Sequence, residues 1–111
     1  LDHQPKTIGI LGLSYKPGTN VIEESQGIAL AASLKKKGFN VIIYDPMALP
    51  PAQAVLGTHV QYADSSQECI KESDALVIMT AWPEFCHLTA KDFAEKGQGF
   101  TIIDCWRCLE E

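Results

Sequence analysis

The stretch that decides the fold is TIGILGLSYKPGTNVIEESQG, residues 7–27. Residues 8–13 form a continuous apolar run, which is typical of a strand covered on both faces in a parallel sheet. A polar loop follows at residues 14–20, and Ser25 is placed to cap the start of a helix. Open α/β sheets present phosphate and nucleotide sites where a strand leads through a glycine-bearing loop into a helix. We therefore expect the functional site at this loop.

The alternation of strand and helix continues along the rest of the chain. Apolar runs predict four further strands, at residues 41–44, 59–62, 75–79 and 100–103. Helical patterns and caps lie between them, at residues 25–38, 50–57, 65–72 and around residue 93. Because crossovers between parallel strands are right-handed, we expect a Rossmann-like three-layer α/β/α domain with a five-stranded parallel sheet in the order 3-2-1-4-5. The loops at residues 14–20 and 80–85 are then expected to face one crevice, at the topological switch point.

Length and charge exclude several classes of protein. The 111 residues are enough for one domain, assigned to residues 1–111, and too few for two. A net charge of −5 argues against a nucleic-acid partner. No apolar run is long enough to span a bilayer, and the amino-terminal residues LDHQPK lack the apolar part of a signal peptide. We therefore expect no membrane association.

Four cysteines, at positions 69, 86, 105 and 108, are too few and too scattered to predict a disulfide scaffold. A reducing, cytoplasmic location is therefore expected. Cys105 and Cys108 form a C-x-x-C pair, the spacing of a redox pair or of half a zinc site. No second C-x-x-C is present, and Cys86-His87 has the wrong spacing to complete a zinc site. A redox module remains an alternative, and no metal ligand is assigned.

The first loop lacks the dinucleotide-binding fingerprint. Gly9 and Gly12 do not have the G-x-G-x-x-G spacing that lets a backbone approach a pyrophosphate. Asp45, at the end of the second strand, stands where a ribose-binding acid would stand, but without those glycines we favour a turn residue before Pro46. We therefore expect a Rossmann-like shape that does not itself bind NAD in the usual way.

Lys16 and Tyr15 are the candidate binding residues of the loop. A lysine offers a point charge for phosphate, and a tyrosine offers an aromatic face for a base. A solvated lysine beside a core tyrosine is the alternative that the sequence leaves open. No Ser-His-Asp set can be argued from the sequence, so no catalytic residue is assigned.

Several segments resemble the UDP-glucose/GDP-mannose 6-dehydrogenase family. GLSYKPGTNVIEES, residues 12–25, is similar to the family's G-L-x-F-K-x-x-T-D-D-x-R-x-S, and YDP at 44–46 is similar to the Y-D-P after its second strand. ALVIMT and WPEF, within residues 75–85, resemble A-x-V-I-x-T-x-W-x-E-F, and IID at 102–104 resembles the strand before D-G-R. The resemblance runs over essentially the whole chain and implies the C-terminal, nucleotide-sugar-binding domain of such an enzyme.

The resemblance also implies an activity. Members of this family use NAD to oxidise the C6 hydroxymethyl group of a UDP- or GDP-linked sugar to a carboxylate, a step of polysaccharide biosynthesis. Their catalytic cysteine and NAD fingerprint lie in N-terminal and central regions, so NAD is expected to bind mainly there. The implied partners are the nucleotide sugar, those other domains of the same chain, and a second copy in a homodimer. By matching position, Tyr15 and Lys16 contact the substrate.

The sequence departs from the family pattern at two sites. D-D-x-R appears as NVIE, residues 20–23, so Glu23 replaces the arginine that reaches toward NAD in relatives. D-G-R appears as DCWR, residues 104–107, so the substrate-binding arginine is displaced by one residue to Arg107. We take Arg107 as a third substrate-binding candidate and Glu23 as the cofactor-facing position. These changes leave open a non-catalytic relative that serves assembly or regulation.

Overall fold

The computed structural model describes residues 6–13, 25–94, 96 and 100–105. The described residues contain one parallel sheet in the order β3-β2-β1-β4-β5, which confirms the predicted topology. Its strands are β1 (Thr7–Leu11), β2 (Asn40–Tyr44), β3 (Gln61–Tyr62), β4 (Ala75–Ile78) and β5 (Thr101–Asp104). The α-helices are α1 (Gln26–Lys36), α2 (Leu49–Leu56), α3 (Ser66–Glu72) and α4 (Pro83–Cys86). Within these residues, no helix is long and apolar enough to cross a membrane.

A hydrophobic core lies on each face of the sheet, because successive strand residues point to opposite faces. Ile10 of β1 faces α1 and α2, whereas its neighbour Leu11 faces α3 and α4. The first core contains Leu13, Ala31, Val41, Ile43, Ala48, Ala52, Leu56 and Val60. The second contains Ile42, Ala63, Cys69, Ile70, Leu76, Ile78, Phe85 and Leu88. This arrangement confirms the three-layer α/β/α architecture.

Helix α1 begins and ends as the sequence predicts. The Ser25 hydroxyl accepts a hydrogen bond from the Ile28 N–H at 3.2 Å, which satisfies one of the open donors of the first turn. At the other end, Gly38 has a φ of +95°, and the Phe39 N–H donates to the Leu34 carbonyl at 3.1 Å. This is a Schellman motif, in which a left-handed glycine turns the chain toward β2.

Two short elements differ from the prediction. The third strand, expected over residues 59–62, is confirmed only over Gln61–Tyr62, because Gly57 ends α2 with a φ of +59° and directs residues 57–59 into a 3-10 turn. The segment at residues 80–85 was expected as a loop but contains α4, which Pro83 starts with its fixed φ in the first turn. Neither difference changes the order of the strands.

Candidate functional site

The residues chosen from the sequence lie outside the part of the chain that the structure describes. This applies to Tyr15, Lys16, Glu23 and Arg107, and to the whole loop at residues 14–20, whose placement at the crevice stays a prediction. The structure describes the frame from which these segments depart. That frame is the carboxyl edge of the sheet, where β1, β2, β4 and β5 all end.

Asp45, directly after β2, ties this edge together. Its side chain is 2% exposed. One oxygen, Oδ2, accepts from the Leu13 N–H at 2.8 Å and from the Trp82 indole N–H at 3.2 Å. The other, Oδ1, accepts from the N–H groups of Met47 and Ala48, both at 2.9 Å. Since a carboxylate offers about four acceptor positions, these donors occupy them all.

The role that the sequence favoured for Asp45 is confirmed and is larger than expected. Its bonds to Met47 and Ala48 form the predicted turn. Its bonds to Leu13 and Trp82 join the loop after β2 to those after β1 and β4, which lie 32 and 37 residues away in sequence. No local sequence signal predicts such long-range partners. Because the acceptor positions are occupied, Asp45 cannot also take the ribose hydroxyls of a dinucleotide.

Gly12 and Gly27 allow a close approach at the end of β1. Gly12 has a φ of +106°, and a Cβ there would lie 2.5 Å from the Thr80 side chain and 2.6 Å from the Thr80 backbone nitrogen. A Cβ on Gly27 would collide with the Gly12 carbonyl oxygen. The first turn of α1 and the residue Thr80 are therefore packed directly on the strand end.

In Rossmann domains NAD binds at the carboxyl end of the first strand, beside the helix that follows it. The contacts of Gly12, Gly27 and Asp45 show whether NAD fits there in this domain. A bound pyrophosphate needs open glycine backbone between the first strand and its helix. Here Thr80 fills the space beside Gly12, α1 packs on its carbonyl, and Asp45 has no acceptor position left. The described residues do not fit NAD at this position, in agreement with the missing glycine spacing.

A second polar cluster joins α4 to the sheet. Burial raises the pKa of Tyr44, and the nearby Glu84 carboxylate, which accepts its hydroxyl hydrogen bond, raises it further. The Ser66 hydroxyl also donates to Glu84, at 3.3 Å. The Tyr44 ring meets the buried Phe85 ring edge-on, with centroids 6.2 Å apart. Tyr44 therefore keeps its proton at neutral pH and acts as a donor that holds α4 in place.

This cluster explains a segment that the sequence offered only as a family likeness. In WPEF, residues 82–85, the tryptophan donates to Asp45, the glutamate binds Tyr44 and Ser66, and the phenylalanine is fully buried. These contacts of Trp82, Glu84 and Phe85 fix the position of the loop after β4. The segment therefore builds part of the carboxyl edge of the sheet.

The three described cysteines differ in burial and in bonding. Burial raises the pKa of the Cys69 thiol to about 12, and its side chain is 0% exposed, so it is not a nucleophile at neutral pH. Cys105 is a free, exposed thiol. Cys86 is disulfide-bonded, a single bond that the scattered cysteines of the sequence do not predict. Among the described residues, no three His, Cys, Asp or Glu side chains lie together as a group that could hold a metal ion.

A cavity of about 630 Å³ lies elsewhere, between α3 and the turn at Ala90–Phe93, and is lined partly by Lys71 and Lys91. Beside it the Lys96 ammonium donates to the carbonyl oxygens of Lys71 and Ser73, at 2.8 and 2.7 Å. These contacts lie at the end of α3, before β4 begins. The cavity is therefore not part of the carboxyl edge.

Comparison with known proteins agrees with the fold. Residues 9–111 match the profile of the UDP-glucose/GDP-mannose dehydrogenase family, UDP binding domain. UDP-glucose 6-dehydrogenase YwqF of Bacillus subtilis is 39% identical over 103 residues, which are 93% of this chain and 23% of that protein. UDP-glucose 6-dehydrogenase of Rickettsia conorii is 36% identical over 110 residues, 98% of this chain and 26% of that protein.

A solved structure gives the same result. A UDP-glucose dehydrogenase from the archaeon Pyrobaculum islandicum superposes with a TM-score of 0.80 and 34% identity, covering 91% of this chain and 22% of that chain. This chain therefore spans about a quarter or less of the length of these relatives. The strand order, the carboxyl-edge frame and the match over residues 9–111 lead to one conclusion: the chain belongs to the UDP-glucose/GDP-mannose dehydrogenase family, as its C-terminal, UDP-binding domain.

Proposed function

We propose that this chain is the substrate-binding domain of an NAD-dependent nucleotide-sugar 6-dehydrogenase, which oxidises the C6 alcohol of a UDP- or GDP-linked sugar to a carboxylate. The observation that carries the proposal is the match of residues 9–111 to the UDP-binding domain of this family. The domain is proposed to hold the nucleotide end of the substrate. The remaining domains of the full-length chain are proposed to supply the catalytic cysteine and most of the NAD site.

The frame of the carboxyl edge supports a substrate role for Tyr15, Lys16 and Arg107. The loop with Tyr15 and Lys16 leaves the sheet at Leu13, whose N–H is bound by Asp45. Arg107 follows the end of β5 at Asp104. Because parallel strands end at the same edge, both segments depart from the same side of the sheet. A lysine and an arginine there would supply positive charge for the diphosphate of a nucleotide sugar.

NAD would accept the hydride in the proposed reaction, but the described residues do not fit it. Thr80 and the saturated Asp45 close the position that a dinucleotide takes in a Rossmann domain. We therefore propose no oxidation step on this domain. Glu23, in the position of an arginine that reaches toward NAD in relatives, would place a negative charge near the cofactor's phosphates.

Glu23 favours a second candidate function, a non-catalytic relative used for assembly or regulation. An acid in that position opposes the binding of an anionic cofactor. The two candidates differ in the behaviour of the full-length protein, since only an enzyme couples the sugar to the reduction of NAD.

Assaying the full-length protein with NAD and each of UDP-glucose, UDP-N-acetyl sugars and GDP-mannose tests the proposal. NADH absorbance and mass spectrometry of the sugar product are the measurements. We expect one substrate to yield two NADH and one sugar carboxylate per molecule. Binding of a nucleotide sugar without any NADH would instead establish the non-catalytic alternative.

Replacing Lys16 by alanine tests the binding site directly. Loss of a charged contact to phosphate should weaken nucleotide-sugar binding by about 1–3 kcal/mol, measured by calorimetry on the full-length protein. Lys35→Ala is the matched control, because Lys35 lies in the last turn of α1, at the other end of that helix from the loop. Equal affinity of the Lys16→Ala variant and the wild type would remove Lys16 from the site.

We also propose that the full-length protein forms a homodimer and lies in the cytoplasm. Two described cysteines, Cys69 and Cys105, carry free thiols, which agrees with a reducing compartment. The disulfide at Cys86 points to an oxidising one. Counting the thiols of protein trapped with an alkylating agent during cell lysis decides between them, since a reduced Cys86 supports the cytoplasm.

A further inference from the structure

Two cavities adjoin at the amino ends of β2 and β3, away from the carboxyl edge. One, of about 260 Å³, lies between the last turns of α1 and α2. The other, of about 140 Å³, lies at the first residues of β2 and β3. Lys35, His59 and Val60 line both, so the cavities are neighbouring parts of one groove, which we call the α1–α2 groove. Combined, they reach the size of small-molecule sites, roughly 300–1,000 Å³.

The larger cavity has an apolar lining. Leu56 and Val60 are each 6% exposed and belong to the core beneath α1 and α2, so they form its floor. Val55 is 62% exposed, and Ala32 is exposed beside it in the same lining. A ligand that covers these side chains removes apolar surface from water, which favours an alkyl or aryl group in this cavity.

The groove also concentrates positive charge in an acidic protein. Lys35, Lys36 and His59 belong to its lining, and none of the described lining residues is Asp or Glu. The chain as a whole has a net charge of −5. Neither lysine forms an ion pair with a described residue. The groove therefore favours an anion over a cation or a neutral molecule.

The end of α1 does not need these lysines as caps. The Lys37 N–H donates to the carbonyl oxygens of Ser33 and Leu34, both at 3.1 Å, and the Gly38 N–H donates to that of Lys35 at 3.0 Å. Backbone groups thus already bind the carbonyl groups of the last turn. The ammonium groups of Lys35 and Lys36 stay available for a ligand.

We propose that the α1–α2 groove binds a small amphipathic carboxylate, with its alkyl or aryl part in the larger cavity and its carboxylate beside Lys35 and His59. Thr58 and Gln61, in the lining of the smaller cavity, add a hydroxyl and an amide that can donate to the carboxylate. The site is separate from the proposed nucleotide-sugar site, because the 11 residues of α1 lie between them, a length of about 16 Å.

Calorimetric titration of the full-length protein with butanoate, hexanoate and octanoate tests the proposal. Each CH₂ group that enters the larger cavity should tighten binding about fourfold. Octylammonium has the same alkyl chain with the opposite charge, so it should bind at least tenfold more weakly than octanoate. Because the measurement is direct binding, its result does not depend on dehydrogenase activity.

Two variants with matched controls locate the ligand. Ala32→Leu fills the larger cavity with a residue that suits a helix and should weaken octanoate binding at least tenfold. Ala54→Leu is its control, because Ala54 is exposed on α2 but lines neither cavity. Lys35→Gln should weaken binding about fivefold, the upper end for an exposed ion pair. Lys37→Gln, in the same run of lysines but outside the lining, should leave it unchanged.

Three outcomes overturn the proposal. Octanoate may give no binding heat, which would show that the groove takes no such ligand. Octylammonium binding as tightly as octanoate would remove the role of the lysines. Equal affinities of the Ala32→Leu and Ala54→Leu variants would place the alkyl chain outside the groove. Because Ala32 and Lys35 are exposed, the variants should fold, and their thermal unfolding temperatures check this.

Discussion

At the centre of the sheet, β1 lies between two partner strands and its Ile10 and Leu11 are fully buried, whereas at the edge β5 has one partner and its Ile103 is 54% exposed. The strand ends at the centre are joined by the buried Asp45. The comparison shows that the centre of the sheet is held together by this domain alone. All four N–H groups described as donating to Asp45 belong to residues of this chain. At β5, by contrast, Ile102 and Ile103 are 37% and 54% exposed, so this edge adds less to the core.

Asp45→Asn should have the largest effect on the centre. In asparagine an NH₂ group replaces one of the two carboxylate oxygens. This group cannot accept hydrogen bonds, so the two N–H groups that donated to that oxygen would lose their buried, charged partner. We expect the free energy of unfolding in urea to fall by about 3–5 kcal/mol. Asp92→Asn is the control, because Asp92 accepts from Thr89 at an exposed helix start and its loss should cost about 1 kcal/mol. Similar losses from both variants would contradict the central role of Asp45.

Gly12→Ala tests the close packing at the end of β1. The new Cβ would need a left-handed φ and would meet Thr80 at 2.5 Å, so the free energy of unfolding should fall by about 2–4 kcal/mol. Gly38→Ala separates the two causes, because Gly38 also has a positive φ but no atom lies within 4 Å of its added Cβ. Thermal unfolding should show a loss of about 1 kcal/mol there. Equal destabilisation would mean that Thr80 moves aside freely.

Cys69 should make the stability of the sheet centre depend on alkaline pH. Its thiol pKa is raised by burial from 9.0 to about 12. Above pH 9 the unfolded chain loses this proton while the folded chain keeps it, so stability is complete below pH 9 and is lost as the pH rises toward 12. The loss is about 1.4 kcal/mol per pH unit. Urea titrations at pH 8, 10 and 11 should show little loss at pH 8 and close to the full slope between pH 10 and 11, and Cys69→Ala should remove this contribution. Parallel curves for both proteins would refute it.

Ile103→Ala should have the smallest effect. Because half of this side chain is already in water, its truncation in the 111-residue chain should lower the free energy of unfolding by less than about 1 kcal/mol. Ile43→Ala is the comparison at the centre, since Ile43 is 0% exposed and its loss should cost about 2–5 kcal/mol. Chemical denaturation of both variants tests the contrast. Comparable losses would mean that the edge is as tightly packed as the centre.

The sequence was sufficient for the topology because each strand and each cap is encoded locally. The apolar run at residues 8–13, the cap at Ser25 and the glycine at position 38 all act within a few residues. The cap and the glycine are found where predicted, and the run forms a strand at Thr7–Leu11. The predicted third strand is two residues too long, because the sequence pattern indicates Gly57 only as the end of α2. Its left-handed φ also commits the next residues to a turn.

The architecture of the site depends on distance in space and was harder to predict. Nothing near Asp45 in the sequence indicates that Leu13 and Trp82 bind it, so a turn residue was expected where a link between three loops is found. The roles of Tyr15, Lys16, Glu23 and Arg107 stay predictions from resemblance, since these residues lie outside the described ranges.

The four hydrogen bonds described above for Asp45 have a mechanical consequence. The segments that leave β1, β2 and β4 are fastened to one carboxylate, so none of them can shift at its root without breaking a buried hydrogen bond. A molecule bound over this edge would therefore meet segments whose first residues are already fixed in place.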